Sequence, residues 1–334
     1  MNSRERVTRT LRFEHPDRAP RDLWCLPGVL MFQQDEVDAV QARYPLDIVG
    51  APGVDGPSRR ASGTPNVVGT YTDAWGCVWR VAEPGVIGEV KGPPLADWTA
   101  LETFTPPYEV LEGADFSRVN PFCAETDQFV IGHPGIHPFE RMQYLRGSEA
   151  LYMDLAYGAN ELLRLRDMVH RFYMEKLARW CETNVDGIGF ADDWGAQHNL
   201  LIAPRLWREL FKPLYAEYFQ VVHDAGKFVF MHSDGDISAI YPDFIEIGVD
   251  ALNSQLFVMD IEELGRQYRG KITFWGEIDR QRVLPFSTPD EVRAAVRRVR
   301  AALDDGSGGV IAQCEWGINV PRANVEAVFE TWLE

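Results

Sequence analysis

The chain alternates short apolar runs with longer amphipathic ones. Eight of the short runs are rich in β-branched and aromatic residues: "APRDLWC" at Ala19–Cys25, "LDIVGAP" at Leu46–Pro52, "QFVIGHPG" from Gln128, "VDGIGFADD" from Val185, "KFVFMHS" from Lys227, "VDALNSQ" from Val249, "KITFWGEID" from Lys271 and "GVIAQCEW" from Gly309. Most show no apolar/polar alternation, the pattern of parallel strands buried on both faces. The segments between them read as helices. "APRLWRELFKPLYAEYFQVVHDAGK" repeats its apolar positions with the helical period and closes on Gly226, a natural C′ glycine, while Pro213 predicts a kink or a break inside it. "STPDEVRAAVRRVRAALDDG" places Thr288, Pro289 and Glu291 at the spacing of a capping box. A first helix opens at Asn2 or Ser3 and is expected to end near Glu14–Pro16.

Eight strand–helix units in 334 residues predict an α/β fold, a (β/α)8 TIM barrel. A doubly wound parallel sheet is the competing architecture. Residues 53–127 break the alternation. They are rich in Gly, Pro and Thr and hold two short β-like pieces, "GTYTDAWGCVWRV" and "GVIGEVKG". They read as a hairpin-bearing insertion between strands two and three of one domain spanning 1–334.

Composition narrows the partners. Fifty acidic against 33 basic residues give a net charge of −17, which repels nucleic-acid phosphates and anionic lipid. No run approaches the length of a membrane span, and "MNSRERVTRTLRFEHPDRAP" has no apolar leader core. The five cysteines are scattered singly, as reduced thiols are, so a cytoplasmic location is expected.

Barrel active sites lie at the carboxyl ends of the strands. The residues there are Trp24 and Cys25, then His133 and His137, then Asp192, Asp193 and Trp194. The fifth strand delivers His232, Ser233 and Asp234; the sixth, Asn253 and Gln255; the seventh, Glu277 and Asp279; the eighth, Cys314, Glu315 and Trp316. His232 and Asp234 are two apart, so an extended chain turns both side chains to one side. With Cys314 from the last strand they make a plausible Zn²⁺ set, and Asp193 or Glu277 can supply a further ligand. The structural alternatives are that Asp234 and Asp236 cap the next helix, that Cys314 is a small buried hydrophobe, and that His133 and His137 are loop residues. Trp24, Trp75, Trp194, Trp275 and Trp316 all fall near strand ends, which would suit a flat aromatic or macrocyclic ligand.

The motifs "RERVTRTLRFEHPDRAPRDLW", "YTDAWGCVWR", "FADDWGAQHNLLIAPRLWRELFKPLY", "HDAGKFVFMHSDGDISAIYPDFIEIGVDALNSQ" and "FWGEIDRQRVLPFSTPDEVRAAV" resemble the uroporphyrinogen decarboxylase superfamily in order and over almost the whole chain. That resemblance implies a distorted TIM barrel and one of two activities. Its decarboxylases carry an arginine-rich stretch after the first strand to hold a polycarboxylate; here "WCLPGVLMF" has no arginine. Its corrinoid-linked methyltransferases hold zinc with HxC after strand five and a later cysteine. Here His232-Ser-Asp234 replaces HxC, and Cys314 stands at the later position. One carboxylate for one thiolate leaves the ion more electrophilic, suited to an ether oxygen. The resemblance therefore implies a zinc-dependent O-demethylase that passes the methyl group of a small methoxylated, aromatic donor to a corrinoid (cobalamin) on a partner protein. In that reading Asp193 and Glu277 are catalytic, His232, Asp234 and Cys314 hold the metal, and Trp24, Asp192, Trp194, Asn253, Trp275, Glu315 and Trp316 line the substrate. A carboxy-lyase using Asp192 or Asp193 with arginines is the alternative, and a non-catalytic corrinoid binder a third.

Overall fold

The structure, a computed structural model, describes residues 1–334. Eight parallel strands form one sheet: β1 (Arg21–Cys25), β2 (Ile48–Gly50), β6 (Phe129–Gly132), β7 (Gly187–Ala191), β8 (Phe228–Ser233), β9 (Ala251–Ser254), β10 (Thr273–Trp275) and β11 (Val310–Trp316). Their order, β1-β11-β10-β9-β8-β7-β6-β2, brings the first strand round beside the last, and the result is the predicted (β/α)8 barrel rather than an open doubly wound sheet. No strand ladder joins β1 to β2. Asp47 bridges that seam: its backbone N–H reaches Arg21 O at 2.9 Å, and its carboxylate accepts from Arg21 N at 2.7 Å and from the side chains of Ser3, Arg6 and Arg18.

The core has two layers. Ile48, Phe129, Ile131, Phe230, Ala251, Trp275 and Ile311 point into the barrel, where Val7 and Leu11 of the first helix plug its amino-terminal end. The alternate residues of the same strands pack outward on the helices, in a cluster of 70 buried residues. That first helix, Ser3–Leu11, is capped by Asn2, whose side chain accepts from Glu5 N. It stops earlier than expected, because Gly309 N takes the Thr10 carbonyl at 2.9 Å and Phe13 turns to positive φ. The helix around Pro213 is broken as predicted, into Pro204–Leu210 and Lys212–Asp224, with Phe211 between them. The Thr288–Glu291 capping box forms at the helix Pro289–Leu303.

Between β2 and β6 lies an antiparallel sheet of β3 (Gly69–Thr72), β4 (Val78–Val81) and β5 (Glu89–Gly92). Asp73, in the β3–β4 turn, accepts from Trp75 N, Cys77 N, Trp79 Nε1 and Arg141 Nη1, which ties this sheet to the barrel helix Pro138–Arg146. No helix is long and apolar enough to cross a membrane.

Candidate metal centre at the barrel mouth

Strand β8 turns Phe230 inward and Val229 and Met231 outward, so His232 faces the barrel mouth and Asp234 follows it on the same side. The end of β7 lies alongside, with Ala191 the ladder partner of His232, and delivers Asp193. The donor atoms of Asp193, His232 and Asp234 all lie within 4.8 Å of one another. His232 Nε2 stands 3.5 Å from Asp193 Oδ1 and 3.4 Å from Asp234 Oδ1.

Hydrogen bonds decide what these atoms offer. Asn253 donates its Nδ2 to Trp275 O at 2.5 Å, which turns its Oδ1 toward His232 Nδ1 at 2.7 Å. Nδ1 therefore carries the ring proton, and the lone pair of Nε2 points at the two carboxylates. Asp193 Oδ1 accepts from Asp234 N at 2.9 Å. Asp234 Oδ2 is held by Arg280 Nη2, while Asp234 Oδ1 is buried with no hydrogen-bond partner. A lone pair and two carboxylate oxygens facing one another repel unless a cation lies among them. The chemistry of the donor set, one imidazole nitrogen and two carboxylates, fits a divalent ion such as zinc.

More acid surrounds the cluster. Arg280 Nη1 donates to both carboxylate oxygens of Glu315, at 2.7 and 2.8 Å, and its Nε lies 3.9 Å from Glu277. Burial pushes the Glu277 carboxyl well above the usual range, and Arg280 offsets only part of that. Glu277 lines a cleft of about 220 Å³ with Gln197, His198 and Gln255. Across the mouth, burial and then the charge of Asp193 push Glu140 up to about 7; its carboxylate accepts from Tyr144 OH at 2.6 Å. Burial, then Asp234, likewise raises Asp193.

Several expected residues lie elsewhere. Cys314 is fully buried and faces outward with Ala312 and Trp316, in the layer between barrel and helices, whereas Ile311 and Glu315 face in. The zinc set His232–Asp234–Cys314 is thus not brought together, and Asp193 stands where Cys314 was expected. Asp192 is fully buried and accepts from Phe139 N and Glu140 N at 2.8 Å and from Tyr215 OH at 2.5 Å, so it caps a helix instead of lining substrate. Trp194 stacks on Phe139 at 4.3 Å within the core, and Trp316 donates to Val320 O inside the outer layer. Trp275 is buried in the barrel on Asp22. Trp24 alone of these five-strand-end aromatics meets the cluster, edge-on to His232 at 5.1 Å. Arg280, Glu140 and Tyr144 were not singled out from the sequence; the one signal for Arg280 was its position three residues past Glu277 at the end of the seventh barrel strand.

The fold and the cluster together define a (β/α)8-barrel protein with a cation-ready acidic mouth. The uroporphyrinogen decarboxylase (URO-D) family model matches residues 128–334, and the chain belongs to that family. No curated protein matches the sequence. Among solved structures, a methyltransferase from Methanosarcina mazei superposes with a TM-score of 0.73 at 15% identity, covering 99% of this chain and 98% of that one. A glycosylated endo-β-1,4-xylanase of glycoside hydrolase family 10 from Gloeophyllum trabeum gives 0.46 at 11% identity, over 97% of this chain and 99% of its own. A B12-independent methionine synthase from Shewanella sp. W3-18-1 gives 0.45 at 13%, over 95% and 93%. At 15% identity the likeness to the methyltransferase is one of fold.

Proposed function

We propose that this chain is a corrinoid-linked methyltransferase that demethylates a methoxylated aromatic small molecule, with zinc held by Asp193, His232 and Asp234. The observation that carries the reading is the Nε2 lone pair of His232, aimed by Asn253 at two carboxylates of which one oxygen, Asp234 Oδ1, is buried without a partner. The likeness to the Methanosarcina mazei methyltransferase supports it.

When bound, zinc supplies a Lewis acid at the departing ether oxygen, and two carboxylates leave it more electrophilic than thiolates would. Trp24 offers an aromatic edge beside His232 on which a ring can pack. Glu277, whose carboxyl burial pushes well above the usual range, lines the cleft and is the proton source for the leaving oxygen. The corrinoid, carried by a partner protein, would be the methyl acceptor and would supply the nucleophile that displaces the ether oxygen, and Glu277 would give its proton to that oxygen. A decarboxylase acting on a polycarboxylate is disfavoured, because the one arginine among these acids, Arg280, is already engaged by Asp234 and Glu315.

The test has two arms. Elemental analysis of protein purified without chelator should give close to one zinc per chain. Incubation with cob(I)alamin and a panel of methoxy compounds should yield methylcobalamin, with uroporphyrinogen run in parallel. Carbon dioxide from uroporphyrinogen and no methylated corrinoid from any donor would overturn the reading.

A further inference from the structure

The barrel mouth continues past the acidic cluster on the side of β1 and β11. Their ladder sets Trp24 beside Glu315, and Trp24 meets His232 edge-on at 5.1 Å. Leu26 stands two residues beyond Trp24, still extended, and donates its N–H to Trp316 O at 3.0 Å, which carries the β1–β11 pairing one residue further. The strand period turns its side chain to the same side as that of Trp24. Leu26 and Glu315 both line a cavity of about 290 Å³, together with Arg280, Phe286 and Ile318. Arg280 joins that cavity to the cluster a second time, since its Nη2 holds Asp234 while its Nη1 holds Glu315. Two side-chain paths thus lead from the metal ligands into one space, from His232 over Trp24 and from Asp234 over Arg280.

The walls of this cavity are apolar where they meet water. Leu26 is 37% exposed, Ile318 43% and Phe286 79%. They come from three separate elements: the end of β1, the loop after β11 and the short helix Val283–Phe286. Large apolar side chains around a concave space gain when a ligand removes them from water. The charged groups there ask for no counter-charge. Arg280 and Glu315 neutralise each other at 2.7 and 2.8 Å, and the other polar side chains, Gln281 and Asn319, are uncharged. An anion would be a third carboxylate on an arginine that already holds Asp234 and Glu315. The space suits a neutral group. Its volume lies near the lower bound of small-molecule pockets, about 300 Å³, which fits a chain of a few carbons rather than a second ring system.

We infer that this cavity is the subsite for an uncharged alkyl side chain on the methyl donor. The donor's ring lies over Trp24 with its ether at the Asp193–His232–Asp234 cluster, and the alkyl group at the opposite end of the ring fills the space between Leu26, Phe286 and Ile318. The placing of ring and ether rests on the demethylase reading; the apolar subsite stands on the cavity.

Calorimetric titration of the zinc-loaded full chain with methoxybenzene, 1-methoxy-4-propylbenzene and 4-methoxybenzoate tests this. A buried methylene changes affinity about fourfold, so the propyl ether should bind at least about tenfold tighter than methoxybenzene. The benzoate should gain nothing over methoxybenzene. Ile318→Asp and Phe286→Ala alter exposed side chains, which the fold tolerates, and each should diminish the propyl gain. A smaller gain in the unaltered protein, no binding of the propyl ether, an equal gain for the benzoate, or a propyl gain undiminished in either variant would overturn the subsite. The titration needs no corrinoid, so the two readings fail separately. A propyl preference in a protein that forms no methylcobalamin from any donor keeps the subsite and overturns the demethylase; methylcobalamin formed without that preference does the reverse.

Discussion

Asn253 is fully buried and sets the tautomer of His232 through one accepted and one donated hydrogen bond. Such partners of metal-ligating histidines typically change metal affinity 10- to 100-fold, by roughly that order here. Asn253→Ala is therefore expected to weaken zinc binding by about 10- to 100-fold, read by competition with a chromophoric chelator. Affinity equal to the unaltered protein would mean that the ring is oriented by something else, with Trp24 the neighbour in contact. His232 and Asp234 were legible as a pair because their spacing matches the strand period. Asp193 was legible as one of two candidates for a further ligand, the other being Glu277, and the β7–β8 ladder is what brings Asp193 beside the pair.

The helix Pro138–Arg146 begins with proline at its first position and has no side-chain cap from His137. Asp192, from the end of β7, supplies the missing acceptor for its first two free N–H groups and also takes the Tyr215 hydroxyl. A cap from another element locks the helix start to the barrel and so places Glu140 at the mouth and Arg141 against Asp73. Asp192→Ala leaves three buried donors unpaired and should cost on the order of 3 kcal/mol, measured as a lower urea midpoint at unchanged m. A loss under about 0.5 kcal/mol, the range of an ordinary surface change, would show the helix start to be held elsewhere. At this scale the sequence was readable wherever the signal is local. The Thr288 box and the break near Pro213 follow from neighbouring residues alone. The end of the first helix did not, because Gly309, almost three hundred residues away, takes the Thr10 carbonyl.

For the whole molecule, a cation that binds only the folded chain must raise its stability. Zinc at a hundredfold over its dissociation constant contributes about 2.7 kcal/mol, so Tm should rise by several degrees, return on chelation, and stay flat in His232→Ala. A rise of the same size in that variant would place the ion elsewhere. The barrel itself was present in the sequence: eight apolar runs separated by helical segments leave few ways to bury parallel strands on both faces. The side on which His232 and Asp234 stand relative to one another was present too, because a strand alternates with period two. What the sequence did not contain was the phase of β11, on which Cys314 depends. A strand buried on both faces is apolar throughout, so its pattern does not say which residues point inward, and a shift of one position turns every side chain over. Only the ladder pairing Leu23 with Cys314 and Trp24 with Glu315 settled that, sending the thiol to the helices and the carboxylate to the mouth.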